Sequence, residues 1–145
     1  MPADLYKVIA DLERDEGFSS SPYKDTVGKL TIGFGRNLTD VGISKDEARA
    51  LLRNDIEIAI KELNARLDYW DILPETVQRA LINMAFNMGI SRLMLFGRMF
   101  AAIENGLWME AAKEALDSKW ARQVGVRSQR VAALFREGVS SASSS

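Results

Sequence analysis

Residues Glu16 to Asn37, EGFSSSPYKDTVGKLTIGFGRN, break an otherwise helical pattern and constrain the fold more than any other segment. Upstream of them Leu5, Val8, Ile9 and Leu12 recur at helical spacing, with Lys7, Asp11, Glu13 and Arg14 between, which is the signature of an amphipathic helix. Gly17 fits the position just past its C-terminus, so Glu16 falls in the last turn. There the negative end of the helix dipole disfavours a charged carboxylate and favours the protonated form that a general acid needs. Ser19, Ser20, Ser21 and Pro22 cannot continue the helix, and Tyr23 to Asp25 and Lys29 to Phe34 read as two short strands around a turn at Thr26 to Gly28.

In such a hairpin Asp25 closes the first strand and Thr31 lies in the second, so both can face one groove. Gly33 and Gly35 leave backbone uncovered, which suits close approach of an extended ligand. Two carboxylates carried on different elements, here at E-x8-D-x5-T spacing, can be held in different environments, one protonated and one ionised. Hydrolysis of a glycosidic bond uses that division. The plainer alternative is a surface glutamate before a glycine and an aspartate in ordinary turn chemistry.

Elimination narrows the chemistry further. The chain has no cysteine and no histidine, which removes disulfides, thiolate and imidazole metal ligation, and Ser-His-Asp or Cys-His catalysis. Carboxylate, hydroxyl and lysine chemistry remain, and no cofactor or metal is expected. With 145 residues and 47% apolar content, one domain with a real core is expected. The longest apolar run is far short of the roughly 20 residues of a spanning helix, and the charged N-terminus carries no visible export signal.

The rest of the chain reads as helices. Ser44 and Glu47 form a capping box ahead of a stripe of Ala48, Leu51, Leu52, Ile56, Ala59, Ile60, Leu63 and Leu67, a helix long enough to join two lobes. After Pro74, Ala80, Leu81, Ile82, Met84, Ala85, Phe86 and Met88 leave almost no polar face, so that helix is expected at the centre of the larger lobe. Further helices are expected over Leu93 to Asn105, closed by Gly106, from Trp108 through Leu116, and over Val126 to Arg136, closed by Gly138. The Ser-rich tail, 139–145, is expected to be disordered.

The halves of the chain differ in charge, −4 over residues 1–72 and +3 over 73–145, and Lys119, Arg122, Arg127, Arg130 and Arg136 have no acidic residue among them. A basic helical end raises a nucleic-acid-binding alternative. A net charge of −1 and the absence of a recognised motif argue against it.

The ordered motifs D-E-G-F, Y-K-D-T and G-x-x-T-I-G-F-G, then ISKDEARALLRND, VQRALINMAFNMG and NGLWMEAAKEALDSKWARQVGVRSQRVAALF, resemble the phage-type lysozymes, the muramidases of glycoside hydrolase family 24. The resemblance covers most of residues 5 to 138. It implies a mostly α, α+β, two-lobed fold: a single lysozyme domain over 1–138, with a small β-hairpin lobe at 18–43, a connecting helix at 44–67, and a helical lobe of 1–17 with 68–138. It implies Glu16 as general acid, Asp25 and Thr31 holding the attacking water, and substrate contacts from Gly35, Asn37, Phe86, Met99, Glu114 and Arg127. Arg127 would lie across the cleft and pair with Glu16 or Asp15. Peptidoglycan is the implied substrate, cut between N-acetylmuramic acid and N-acetylglucosamine with inversion. A monomer is expected, without nucleic-acid partner or membrane insertion, held in the host cytoplasm until a holin-like protein gives it access to the wall.

Two departures from the family pattern carry expectations. Arg36 stands where relatives usually have histidine, and Asp55 falls within the apolar stripe, where a buried aspartate needs a partner, so an Arg36–Asp55 ion pair is expected. Only six residues separate Asn37 from Ser44, so the small lobe should be little more than a hairpin and its return loop. A catalytically inactive wall-binding protein of the same fold is the remaining alternative, disfavoured because Glu16, Asp25 and Thr31 are all present.

Overall fold

The computed structural model describes residues 2–143. Helix makes up 66% of the chain and a three-stranded antiparallel sheet supplies the β part, which is the mostly α, α+β class expected. Contacts divide the chain into two compact units, Met1–Leu51 and Leu52–Ser145.

The first unit opens with α1, Leu5–Glu16, started by Asp4, whose carboxylate accepts from the amides of Tyr6 and Lys7. Gly17, at φ +70°, ends it, and its amide donates to the Glu13 carbonyl. The expected end at Glu16 therefore holds. No residue of α1 is buried. Contacts group this helix with the sheet, where the sequence had placed residues 1–17 with the larger helical lobe.

The sheet has order β1-β2-β3, with β1 Ser19–Lys24, β2 Leu30–Gly33 and β3 Arg36–Asn37. The serines before Pro22 thus join a strand instead of only ending the helix. Pro22 has no amide to donate, and it sits on an outer strand where the register shifts between Ser19 and Tyr23. Thr31 lies in the middle strand, opposite Tyr23 on one side and Asn37 on the other.

Helix α2, Lys45–Arg66, has the 22 residues expected, and its capping box forms as read: the Glu47 amide donates to Ser44 Oγ at 3.1 Å, and the Ser44 amide to Glu47 Oε1 at 2.9 Å. The boundary between the units falls within it. Its apolar stripe is buried only toward the C-terminus, at Ala59 and Leu63, while Leu51 and Leu52 are exposed.

The second unit holds the hydrophobic core. A 3-10 turn at Trp70–Ile72 leads to α3, Glu75–Met88, whose Val77, Ala80, Leu81 and Met84 are fully buried. Then come α4 Ile90–Leu93, α5 Gly97–Glu104, α6 Trp108–Leu116, α7 Lys119–Val124 and α8 Val126–Ser143. Both α3 and α6 pack against α8, and α5 packs against α6. Large side chains at the centre, Phe135, Leu63, Leu93, Met99 and Ile103 among them, each contribute about 1.5–3 kcal/mol of burial.

Three helix boundaries differ from the expectation. The helix expected over Leu93 to Asn105 is two, α4 and α5, separated at Met94 to Phe96. Helix α7, capped by Ser118 Oγ accepting from the Ala121 amide, had not been anticipated. The last helix passes through Gly138 instead of stopping there. A methyl group at Gly138 would come 2.9 Å from Val77 Cγ2 and 3.0 Å from Trp108 Cγ, so this glycine lets α8 approach α3 and α6. Residues 139–143, expected to be part of a disordered tail, continue that helix, and Ser144 and Ser145 lie outside the described residues.

Candidate active site

Glu16 is the final residue of α1, and the turn at Gly17 brings its segment alongside the chain after β2. A methyl built on Gly35 would lie 3.0 Å from Glu16 Oε2 and 3.3 Å from its Cδ. Gly35 also has φ +84°, a conformation that side chains with a Cβ rarely adopt. Glycine at 35 therefore serves two ends, a left-handed backbone and room for the carboxyl of Glu16. Gly35→Ala is expected to push that carboxyl aside, and an activity that needs the carboxyl there should fall by about a hundredfold, since misplacement by about 1 Å has that order of cost. Activity of the Ala variant equal to wild type would show that the Glu16 carboxyl has no required position there.

Asp25 and Thr31 meet through the backbone of Lys29. The Lys29 carbonyl accepts both the Asp25 amide at 2.9 Å and the Thr31 hydroxyl at 3.0 Å, while the Lys29 amide donates to Asp25 Oδ1 at 2.8 Å. The same Oδ1 accepts from the Val27 amide at 3.0 Å. One carboxylate oxygen of Asp25 thus closes the turn, as ordinary turn chemistry would have it. Its other oxygen has no part in those bonds. Asp25 is half-buried and Thr31 is buried, so the pair is held on a fixed strand end and not on a free loop.

Asn37 organises the return loop. Its side-chain oxygen accepts from the Asp40 amide and its side-chain amide donates to Asp40 Oδ2. The loop it shapes is as short as the sequence required. Asp40 also meets Lys29 Nζ at 3.2 Å, which ties the loop to the hairpin turn.

The ion pair of Arg36 differs from the one expected. Its guanidinium forks onto Glu47, Nη1 to Oε1 at 2.7 Å and Nη2 to Oε2, and Nη1 also donates to the Gly42 carbonyl. Asp55 is exposed, so the premise that it needed a buried partner fails. It lines a shallow hollow with Glu62 and Phe86 in the second unit. Glu47 therefore acts twice, as the acidic member of the capping box and as the partner of β3.

The forked bond to Arg36, reinforced by the Ser44 amide, lowers the Glu47 carboxyl to about 2 and raises the arginine. A carboxyl lowered in this way stabilises the fold above its ordinary value. That contribution is lost as pH falls through about 2. Arginine stays charged, so nothing in the pair titrates between pH 5 and 8. An Arg36→His variant reverses the sign within that window: a histidine raised by Glu47 stabilises below its unfolded value and loses the contribution as pH rises through the folded one. The variant should melt progressively lower than wild type between pH 5.5 and 8. Parallel melting curves for the two proteins across that range would refute the assignment.

In the second unit the remaining candidates fall into two groups. Arg127 Nε donates to Asn83 Oδ1 at 2.8 Å and its Nη2 to the Asn83 carbonyl at 3.3 Å, and both residues line a hollow of about 480 Å³ with exposed Phe86. Glu114 and Met99 line another, of about 500 Å³, with Trp120, whose indole N–H is held by Asn87. Met99 is only 1% exposed, so it acts there mainly as core. Neither Asn83 nor Asn87 carried a sequence signal; both are amides on the largely apolar α3. Among the described residues no cluster of three or more acidic side chains could hold a metal ion, and no helix is long and apolar enough to cross a membrane.

Residues 13–137 match the family described as phage lysozyme. The chain is 30% identical to probable T4-type lysozyme 1 of Dictyostelium discoideum over 156 residues, covering 88% of this chain and 92% of that protein. It is 29% identical to the pre-baseplate central spike protein Gp5 of Enterobacteria phage T4, where the match covers 88% of this chain but 27% of that protein. A SAR-endolysin of Enterobacteria phage P21 is 36% identical over 78 residues, 51% of this chain and 46% of the endolysin. The chain belongs to the phage lysozyme family. It is accordingly a glycoside hydrolase of the lysozyme kind.

Proposed function

We propose that this chain is a peptidoglycan muramidase that hydrolyses the β-1,4 bond between N-acetylmuramic acid and N-acetylglucosamine and so lyses bacterial cells. The observation that carries the reading is the seat of Glu16, a carboxyl at the C-terminal end of a helix with a glycine cleared beneath it. Glu16 gives its proton to the glycosidic oxygen as the bond to the anomeric carbon breaks. A water adds to that carbon from the opposite face, and Asp25 takes up the proton it sheds. Thr31, donating to the Lys29 carbonyl, presents its oxygen lone pairs to position that water.

This assignment gives inversion, for which the two carboxyls stand about 6.5–9.5 Å apart with the water between. Phe86, Glu114 and Arg127 contribute to glycan binding. The protein works without metal or cofactor, as a monomer. It waits in the host cytoplasm and reaches the wall through a separate membrane-perforating protein.

Anomeric analysis of the first product by NMR tests the mechanism. An α-configured muramic acid reducing end formed before mutarotation is the expected result. A β product would require a covalent glycosyl-enzyme and a different role for Asp25.

A further inference from the structure

The peptide unit between Lys29 and Leu30 is planar, so its carbonyl and its amide turn together. The carbonyl end serves the candidate site, accepting the Thr31 hydroxyl at 3.0 Å and the Asp25 amide at 2.9 Å. The amide end, on Leu30, donates to Thr39 Oγ1 at 2.8 Å. Whatever fixes that amide therefore fixes the direction of the carbonyl, and with it the orientation of the hydroxyl on buried Thr31.

A side chain takes this place because the ladder runs out. Strand β3 ends at Asn37, and Leu38 still donates its amide to the Leu30 carbonyl at 2.7 Å. In a regular antiparallel pair the two residues would exchange both bonds. The chain instead turns at 38–41, and the Thr39 hydroxyl receives the Leu30 amide in place of a backbone carbonyl. Closure of the return loop does not call for this bond. Asp40 already closes it through two bonds to the Asn37 side chain, and Lys29 Nζ ties Asp40 to the hairpin turn. Burial does not call for it either, because Thr39 is exposed.

We propose that Thr39 is a positioning residue: its hydroxyl oxygen, acting through the Lys29–Leu30 peptide, holds the Thr31 hydroxyl in the orientation that receives the attacking water. This rests on the glycan-hydrolysing reading above and adds to it a residue that acts through another. Accepting the Leu30 amide also polarises the peptide, so the Lys29 carbonyl accepts the Thr31 proton more strongly. The Thr31 oxygen then keeps its lone pairs for the water.

Thr39→Val keeps the shape and removes the acceptor, whereas Thr39→Ser keeps the acceptor. The substrate is soluble glycan strands of N-acetylglucosamine and N-acetylmuramic acid. Thr39→Val is expected to lower kcat about tenfold with KM near that of wild type, short of the roughly hundredfold cost of misplacement by about 1 Å. Thr39→Ala, which puts no branched apolar side chain in the turn, should match it, and Thr39→Ser should retain most of the rate. In a Thr31→Val protein the further change Thr39→Val should cost little more, because the hydroxyl it positions is already gone. Hydrogen exchange gives a readout independent of activity: the Leu30 amide should exchange faster in Thr39→Val than in wild type or Thr39→Ser.

A Thr39→Val protein with lowered melting and unchanged kcat would make the bond structural only and overturn the proposal. So would a loss in kcat of the same size with and without the Thr31 hydroxyl, or a Leu30 amide equally slow to exchange in all three proteins. Hydrolysis by wild type separates the two levels of inference. If it occurs while Thr39→Val is indifferent, only the positioning role fails; if it does not occur, that role falls with the function.

Discussion

Glu16→Gln is expected to eliminate measurable glycan hydrolysis while leaving the protein folded. Glutamine matches glutamate in shape but has no proton to give to the leaving oxygen. A positioned general acid contributes about 10²- to 10⁴-fold, so the residual rate should fall by at least that order. The same substitution keeps the bulk of the side chain that ends α1. Melting should therefore stay level. Lost activity with an unchanged Tm is the pattern of a catalytic group, whereas a parallel loss of both would make Glu16 structural.

Asp25 needs a subtler comparison because its Oδ1 already holds the turn at Val27 and Lys29. In Asp25→Asn the side-chain oxygen can still accept both amides, so the turn remains and only the charge is lost. In Asp25→Ala both go. Equal inactivation by the two, with the Asn variant as stable as wild type, assigns the charge to catalysis. An active Asn variant would leave Asp25 as a turn residue.

The second large effect lies in the packing of the helical unit. Gly138→Val should destabilise the protein by about 3 kcal/mol, which for a chain of this length lowers Tm by roughly 6–12 °C. The cause is contact: the first methyl already meets Val77 at 2.9 Å and Trp108 at 3.0 Å, and valine adds two more. Gly138→Ala gives the more telling sign. In an ordinary helix interior alanine would stabilise by about 1 kcal/mol relative to glycine. Here overpacking against Val77 and Trp108 offsets that gain, so the Ala variant should be no more stable than wild type. A Gly138→Ala protein stabilised by the full helix-propensity amount would contradict close packing of α8 on α3 and α6.

Gly138 also shows why parts of the fold were hard to read. A glycine after an apolar run is what a helix end looks like in one dimension, and only packing against two other helices reveals the other use. The break between α4 and α5 was hidden for a related reason, since Met94, Leu95 and Phe96 keep the segment apolar throughout. Strand β3 has two residues, too few for any alternation to register. Local signals did better. Gly17 ended α1 where expected, and Ser44 with Glu47 began α2.

Within the candidate site, the local settings of Glu16 at a helix end, Asp25 at a turn and Thr31 in the second strand were legible because each follows from neighbouring residues. The partner of Arg36 was not. The sequence offered Asp55 on an assumed buried stripe, but that half of the helix is exposed, and the nearer acid Glu47 was already assigned to its cap. A carboxylate has two oxygens and enough lone pairs for both duties. The positions of Arg127 and Trp120 depend on Asn83 and Asn87, and hydrogen bonds spanning 44 and 33 residues of chain leave no trace in local pattern.

The most direct measurement is digestion of purified peptidoglycan by wild type and by Glu16→Gln, with identification of the newly formed reducing sugar. N-acetylmuramic acid reducing ends released by wild type alone are the predicted result. Equal release by both proteins, or reducing ends of N-acetylglucosamine, would contradict a muramidase with Glu16 as its acid.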